Sequence, residues 1–207
     1  MIARPDTILV TRDGGSSWTR QSVPPGVASD GYFLNGLYGY PLVWVSCLSN
    51  GLCRAAGGHV LGCGHCGFAY AVLVTRGPGR PWTCAQSSAA CTALSPDAVD
   101  CPAPTRCYGV QSTDPFGSDS YVDRSADGGA DWAAVGTGTS SVLNDITCPT
   151  ALTCYLAGSH GKIARITNGT TMTTQRTPTV RDLYGIDCVS RTACYAVGDN
   201  GTILALS

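Results

Sequence analysis

Twelve cysteines stand in 207 residues, and their spacing discriminates among the chemistries that thiols carry. Four pairs share the pattern C-x5-C: Cys47 and Cys53, Cys101 and Cys107, Cys148 and Cys154, Cys188 and Cys194. Zinc ligands usually have roughly two to four residues between them and need a second ligand pair. Two strand ends joined by a five-residue turn instead meet at a separation that suits a disulfide. The pattern predicts four structural disulfides, each closing a loop of about seven residues and contributing about 2 kcal/mol in the chain-entropy model. So many cysteines in a short chain point to an oxidising compartment, outside the cell or on its surface.

The other four cysteines, Cys63, Cys66, Cys84 and Cys91, fall close together. Gly62-Cys63-Gly64-His65-Cys66-Gly67 matches the C-G-H-C active-site tetrapeptide of protein disulfide isomerases. There the first cysteine sits at a helix N-terminus that lowers its pKa. Here Gly67 leads into the apolar run Phe68 to Val74, which reads as a strand, so a redox role is not expected. A zinc site would combine Cys63 and Cys66 with His59, with His65, or with Cys84 and Cys91. The expectation is two further disulfides within an insertion, with the pairing left open because four cysteines allow three connectivities. Neither metal nor cofactor is expected.

Hydrolytic chemistry has few carriers. His59, His65 and His160 are the three histidines, and no Ser-His-Asp order stands out. All fourteen acidic residues are Asp. Two Asp residues can serve as general acid and nucleophile; Asp114, Asp119 and Asp123, in a long insertion of the third repeat, are the weak catalytic candidates. Asp residues in such Gly/Ser-rich loops are more often turn formers or a weak calcium site. Aromatic residues point to binding instead. Tyr32, Phe33, Tyr38, Tyr40 and Trp44 cluster in a Gly-rich stretch, and such rings stack on sugars or anchor a protein partner at low entropic cost. The bland alternative is that half of them fill space between sheets. Asn168-Gly169-Thr170 and Asn200-Gly201-Thr202 fit the glycosylation acceptor pattern and also look like ordinary turns.

The elements that must position these residues are strands. Glu is absent, Lys162 is the single lysine, and there are 26 Gly and 12 Pro, so helix formers are scarce and turn formers abundant. The first cysteines of successive pairs lie 54, 47 and 40 residues apart (101−47, 148−101, 188−148), a range that fits one supersecondary unit per pair. Leu183 to Cys188 followed by Cys194-Tyr195-Ala196-Val197-Gly198 matches Val142 to Cys148 followed by Cys194's counterpart run, Cys154-Tyr155-Leu156-Ala157-Gly158. Each reads as strand, stapled turn, strand. A Gly turn and a third alternating segment follow: Ser159-His160-Gly161 then Lys162-Ile163-Ala164, and Asp199-Asn200-Gly201 then Thr202-Ile203-Leu204.

A second motif marks a fourth strand. Thr11-Arg12-Asp13-Gly14-Gly15-Ser16-Ser17-Trp18 returns as Ser125-Ala126-Asp127-Gly128-Gly129-Ala130-Asp131-Trp132, the Asp-box pattern S/T-x-D-x-G-x-x-W. Asp13 and Asp127 can accept turn N–H bonds, Gly15 and Gly129 supply positive φ, and Trp18 and Trp132 are expected to pack between neighbouring strands. Thr75 to Trp82 is a degenerate copy with Gly77 in place of the Asp.

On these residues the chain resembles Asp-box (BNR-like) β-propellers, especially secreted bacterial repeats with C-x5-C-Y-A-V-G before each Asp-box hairpin. The resemblance implies an all-β fold, a small propeller of four antiparallel blades, or five if the N-terminal piece builds its own, with a disulfide inside each blade. Residues 1–207 then form one repeat domain: a partial blade with an Asp box at 1–30, a blade with a Cys-rich insertion at 31–92, a blade with an Asp box at 93–139, a blade at 140–179, and a partial blade at 180–207 closed by the N-terminal segment. Asp6 to Thr11 aligns with Gly201 to Ser207, so one strand is duplicated, and an unpaired edge invites self-association.

That superfamily includes sialidases, other glycosidases, photosystem II assembly factors and non-catalytic binding modules, so fold alone does not assign an activity. Sialidases grip a carboxylate with three arginines, carry an early R-I-P-like motif and use a Tyr assisted by Glu; this chain has no Glu, and Ile2-Ala3-Arg4-Pro5 matches poorly. The assembly-factor reading is weaker because its relatives show an arginine patch, whereas here arginines are scattered along the sequence. A net charge of −1 with 13% charged residues predicts no nucleic-acid partner. No membrane insertion is expected, since the longest apolar run is far short of the roughly 20 residues a spanning helix needs. The start, Met1 to Asp6, lacks a signal-peptide layout, so either a leader has been removed or the chain is a fragment. The expected function is a non-catalytic extracellular propeller module that binds a glycan or protein or builds an extracellular assembly; the competing one is a secreted glycoside hydrolase or lyase.

Overall fold

A computed structural model describes residues 8–23, 39–60, 68–76, 80–85, 92–93, 98–112, 119–135 and 141–206. Contacts divide the chain into two compact units, Met1–Ser95 and Pro96–Ser207. Apart from two single-turn 3-10 segments, every regular element among the described residues is a strand.

In the first unit, β1 (Ile8–Val10) and β2 (Thr19–Gln21) form a hairpin in which Leu9 faces Arg20 across the strands. β3 (Gly39–Cys47), β4 (Leu52–Val60), β5 (Phe68–Arg76) and β6 (Thr83–Cys84) form an antiparallel sheet in that order, with β7 (Thr92–Ala93) pairing elsewhere on β5. The run from Phe68 is thus a strand, as its apolar composition predicts. Trp82, at the end of the Thr75 to Trp82 segment, lies in the buried core of this unit's described residues. It packs on Ala55 with Ile8, Val23, Cys53 and Cys84 around it, and its N–H donates to Gln21 Oε1 at 2.7 Å. One aromatic residue therefore fixes the hairpin on the sheet, supplying both apolar area and a satisfied polar handle.

The second unit holds three antiparallel sheets. The first contains β8 (Ala98–Asp100), β9 (Cys107–Ser112), β10 (Ser120–Ser125) and β11 (Ala133–Ala134). The second contains β12 (Leu143–Thr150), β13 (Thr153–Gly158), β14 (Ile163–Thr167) and β15 (Thr171–Gln175). The third contains β16 (Leu183–Cys188), β17 (Cys194–Gly198) and β18 (Thr202–Leu206). The leading strands lie side by side, β12 against both β8 and β16, and each is tied to the next by a carboxylate. Asp100 Oδ2 accepts the Cys148 N–H at 2.6 Å, and Asp145 Oδ2 accepts the Ile186 N–H at 2.8 Å. Between the second and third sheets, Tyr155, Ala157 and Ile163 meet Leu183, Ile186, Cys194 and Ala196 in one core.

The two repeats that align in sequence also match atom by atom. Register shifts between Leu143 and Asp145, and between Leu183 and Gly185, let residues three apart both face the core, which a regular strand of period two does not allow. After β13 and β17 the chain turns the same way: the Ser159 N–H donates to Val142 O and the Asp199 N–H to Asp182 O, at 2.8 and 2.9 Å. A Cβ on Gly158 or Gly198 would stand 2.1 or 2.0 Å from that same carbonyl oxygen, so only glycine admits the approach. Asn168 and Gly169 both take positive φ between β14 and β15, as a two-residue hairpin turn of the primed type requires.

All four C-x5-C pairs are disulfides: Cys47–Cys53, Cys101–Cys107, Cys148–Cys154 and Cys188–Cys194. Each joins the end of a sheet's first strand to the start of its second. Cys84 is disulfide-bonded too, while Cys63, Cys66 and Cys91 lie outside the described residues.

Candidate functional site

A concave feature of the second unit lies where neighbouring sheets differ in strand count. Its second sheet ends on a fourth strand, β15, whereas the third ends on its third, β18. Where a fourth strand would lie beside β18 there is a cleft of about 600 Å³. Four consecutive residues, Ile203 to Leu206, line it. Since neighbouring side chains on a strand point to opposite faces, this run presents the backbone edge itself. That edge pairs with nothing among the described residues.

Three guanidinium groups surround this edge: Arg165 from β14, Arg176 just past β15, and Arg191 from the turn inside the Cys188–Cys194 loop; among the described residues no acidic side chain lines the cleft. Arg165 lies over the ring of Tyr155, 5.5 Å from its centroid, a cation–π arrangement that holds the side chain against the wall. The Tyr155 hydroxyl donates to Arg191 O at 3.4 Å. Arg165 Nε is buried without a hydrogen-bond partner, an unsatisfied donor of the kind that costs free energy unless a ligand or water meets it. The cleft thus combines strand-edge amides and carbonyls with fixed positive charge. A smaller cleft of about 550 Å³ in the first unit is lined by Arg12, Arg20 and Arg80 beside the β1–β2 hairpin, again with no acidic side chain among the described residues.

The two Ser/Thr-x-Asp turns direct their polar groups inward, onto themselves. Asp13 accepts the Ser17 hydroxyl at 2.6 Å, the Ser17 N–H at 2.8 Å and the Thr11 hydroxyl at 2.8 Å, and these bonds lower its pKa to about 2. Asp127 accepts from the N–H groups of Ala130 and Asp131 and from the Ser125 hydroxyl. Burial pushes its carboxyl up, but those bonds outweigh it and the pKa falls. The indoles of Trp18 and Trp132 donate to Gly15 O and Gly129 O, both at 3.1 Å. Trp18 is 58% exposed, so its ring closes its own turn rather than packing between strands.

Among the sequence-derived candidates, Tyr32, Phe33, Tyr38 and Asp114 lie outside the described residues. Tyr40 and Trp44 are in β3, where Trp44 is half-buried. Asp119 is exposed just before β10; Asp123 is half-buried within it, opposite Gly109, and burial raises its carboxyl. His59 lies in β4 and His160 is exposed in the turn after β13. Among the described residues no three of His, Cys, Asp and Glu gather as metal ligands, and no helix is long and apolar enough to cross a membrane. Sequence reasoning passed over Tyr155, Arg165, Arg176 and Arg191. The arginines are scattered along the chain and only the sheet stacking brings them together, so no local signal marked them.

No protein-family model matches the chain, and no curated protein matches it. Among solved structures it is similar to YCF48 from Cyanidioschyzon merolae, with a TM-score of 0.62 and 15% identity over 100% of this chain and 65% of that one. A structure of YCF48 bound to D1 peptide aligns with a TM-score of 0.47 and 17% identity, over 97% of this chain and 71% of that one. The chain therefore spans 65% of the length of the first. That likeness shows the fold: an all-β propeller whose sheets are blades, four of them carrying an internal disulfide.

Proposed function

We propose that this chain is a secreted or cell-surface β-propeller of the Asp-box, BNR-like type that catalyses no reaction and binds another protein, taking an extended acidic segment onto the edge of β18. The observation that carries this is the strand-sized cleft at a sheet edge that pairs with no described strand, walled by Arg165, Arg176 and Arg191. Strand addition supplies affinity through main-chain hydrogen bonds, and guanidinium groups select carboxylates through charge-assisted pairs. Among the described residues one aromatic ring, Tyr155, lines the cleft, and it is buried beneath Arg165, which favours a peptide over a sugar that needs an open stacking face. The surplus N-terminal strand of a second copy is a poorer occupant of the same edge, because Arg12 and Arg20 on its hairpin would bring like charge to the cleft. The extracellular setting is supported by the disulfides, and the Asp-box assignment by the matching bond patterns around Asp13 and Asp127.

Fluorescence anisotropy with a labelled library of short extended peptides tests the reading. Acidic members bind, Arg165→Ala weakens them at least tenfold, and backbone N-methylation abolishes binding at alternate positions only, the signature of a strand pairing on one edge. A glycan array that gives ligands when the peptides give none overturns it. So does turnover of a polysaccharide that disappears in Asp123→Asn.

A further inference from the structure

The cleft beside the β1–β2 hairpin lies within the first unit, to which every described residue lining it belongs. Three segments supply its charge. Arg12 comes from the turn after β1, Arg20 from β2, and Arg80 from the bend that leads to Trp82. The chain as a whole carries a net charge of −1, so three guanidinium groups on one cleft are a local concentration of positive charge rather than a property of the whole surface.

The polar groups between these arginines are donors as well. Thr19 and Ser22 bring hydroxyls and Gln21 its amide. Gln21 Oε1 is turned onto the indole N–H of Trp82, so the end of the amide that can meet a ligand is its NH2 group. Asp13, next to Arg12 in sequence, accepts from the Ser17 hydroxyl, the Ser17 N–H and the Thr11 hydroxyl instead, and it is not part of the lining. A carboxylate offers two oxygens in one plane, whereas a sulfate or phosphate ester offers three in three directions, which suits donors arriving from three segments. Val10 and Pro81 set an apolar wall beside the charges. A bare ion leaves such a wall wet, and the C–H face of a sugar ring covers it. The volume of about 550 Å³ falls within the roughly 300 to 1,000 Å³ of sites that enclose a small organic ligand.

From this lining we infer that the cleft is a second binding site, for a saccharide esterified with sulfate or phosphate, whose oxyanions are held by Arg12, Arg20 and Arg80 and whose ring lies on Val10 and Pro81. It uses neither the β18 edge nor Arg165, so it stands or falls separately from the proposed peptide site.

Isothermal titration calorimetry on the oxidised chain tests this, with short fragments of dextran sulfate, dextran phosphate and unmodified dextran matched in length. An esterified fragment binds, the unmodified one does not, and raised salt weakens the binding. The tighter of the two esters identifies the oxyanion. Arg12→Ala and Arg20→Ala each weaken binding about tenfold, as the loss of a charge-assisted contact requires. Arg181→Ala removes the same charge at an exposed position outside both clefts and leaves the affinity unchanged. No binding of either ester overturns the inference, and so does an equal loss in Arg181→Ala, which belongs to unspecific attraction. Inorganic sulfate or phosphate that binds as tightly as the fragments also overturns it, leaving an ion site without a sugar. A hexaglutamate peptide that binds more tightly than either ester and loses affinity in Arg12→Ala makes the cleft a peptide site and overturns it too. Anisotropy of the acidic peptides proposed for β18 is unaffected by Arg12→Ala.

Discussion

Tyr155 and Tyr195 hold the same place in consecutive repeats, directly after the second cysteine of the pair, yet one is 7% exposed and the other 52%. Ile163 and Ile203, which hold matching places at the start of the third strand of each, next after Lys162 and Thr202, stand at 0% and 71%. The two sheets share the staple, the register shift, the glycine and the left-handed turn. They differ in what lies against them. The second sheet is covered on both sides, so β13 reads as a continuous buried run. The third is covered on one, so its strands alternate in burial. The lesson is that a repeat motif specifies the shape of a blade, whereas a residue's energetic weight depends on the sheet packed against it.

The comparison is broken most sharply by truncating the paired isoleucines. Ile163→Ala is expected to destabilise the second unit by about 2 to 5 kcal/mol through lost burial and a residual cavity, whereas Ile203→Ala stays within about 0.5 kcal/mol in dilute, monomeric protein. Urea titration of both variants measures the contrast, and equal losses would show that the two sheets are packed alike. Replacing both cysteines of a pair by serine is the next largest change. Removing Cys148–Cys154 or Cys188–Cys194 is expected to cost about 2 kcal/mol in each case, since the loops are of equal length and the effect resides in the unfolded chain. Here the two sheets behave alike, and a large difference would place the staple's effect in native packing instead.

Smaller still are two pH effects of opposite sign. Asp145 is held up by burial, which outweighs the N–H bonds it accepts from Ile186 and Ile146. Its folded carboxyl keeps its proton to higher pH than the unfolded one, so stability falls as pH rises from the ordinary Asp range through the folded value. Asp145→Asn removes that slope while giving up one accepted N–H, and thermal melts between pH 3 and 8 (a range of roughly five units) display it. Asp13 is the reverse case. Bonds from Ser17 and Thr11 hold its pKa at about 2, so its contribution is present above the ordinary Asp value and is lost as pH falls through about 2. Asp13→Asn flattens that acid limb of the first unit, the least of these effects because the carboxylate is exposed.

Much of the architecture was legible in the chain. The C-x5-C pairs, the strand from Phe68, the Gly turns before Ile163 and Ile203, and the self-bonded turns around Asp13 and Asp127 all follow from contacts only a few residues apart in sequence. The degenerate Thr75 to Trp82 segment was harder to judge, because the lost Asp drew attention away from Trp82, whose burial depends on Gln21 and Ile8 far earlier in the chain. The candidate site was not legible at all. Arg165, Arg176 and Arg191 come from three separate segments, and nothing local marks one of them as lying over Tyr155.

Short-range chemistry, then, was determined by the amino-acid order alone: which cysteines bridge, where the chain reverses, which residues alternate. Turn hydrogen bonds, steric limits on φ and ring closure by sulfur act over a handful of residues and need no distant partner. Only the tertiary structure decided which apolar faces became core, which edge was left beside a cleft, and where positive charge gathered. Those outcomes depend on the stacking of one sheet on another, and hence on contacts between residues that the chain keeps far apart.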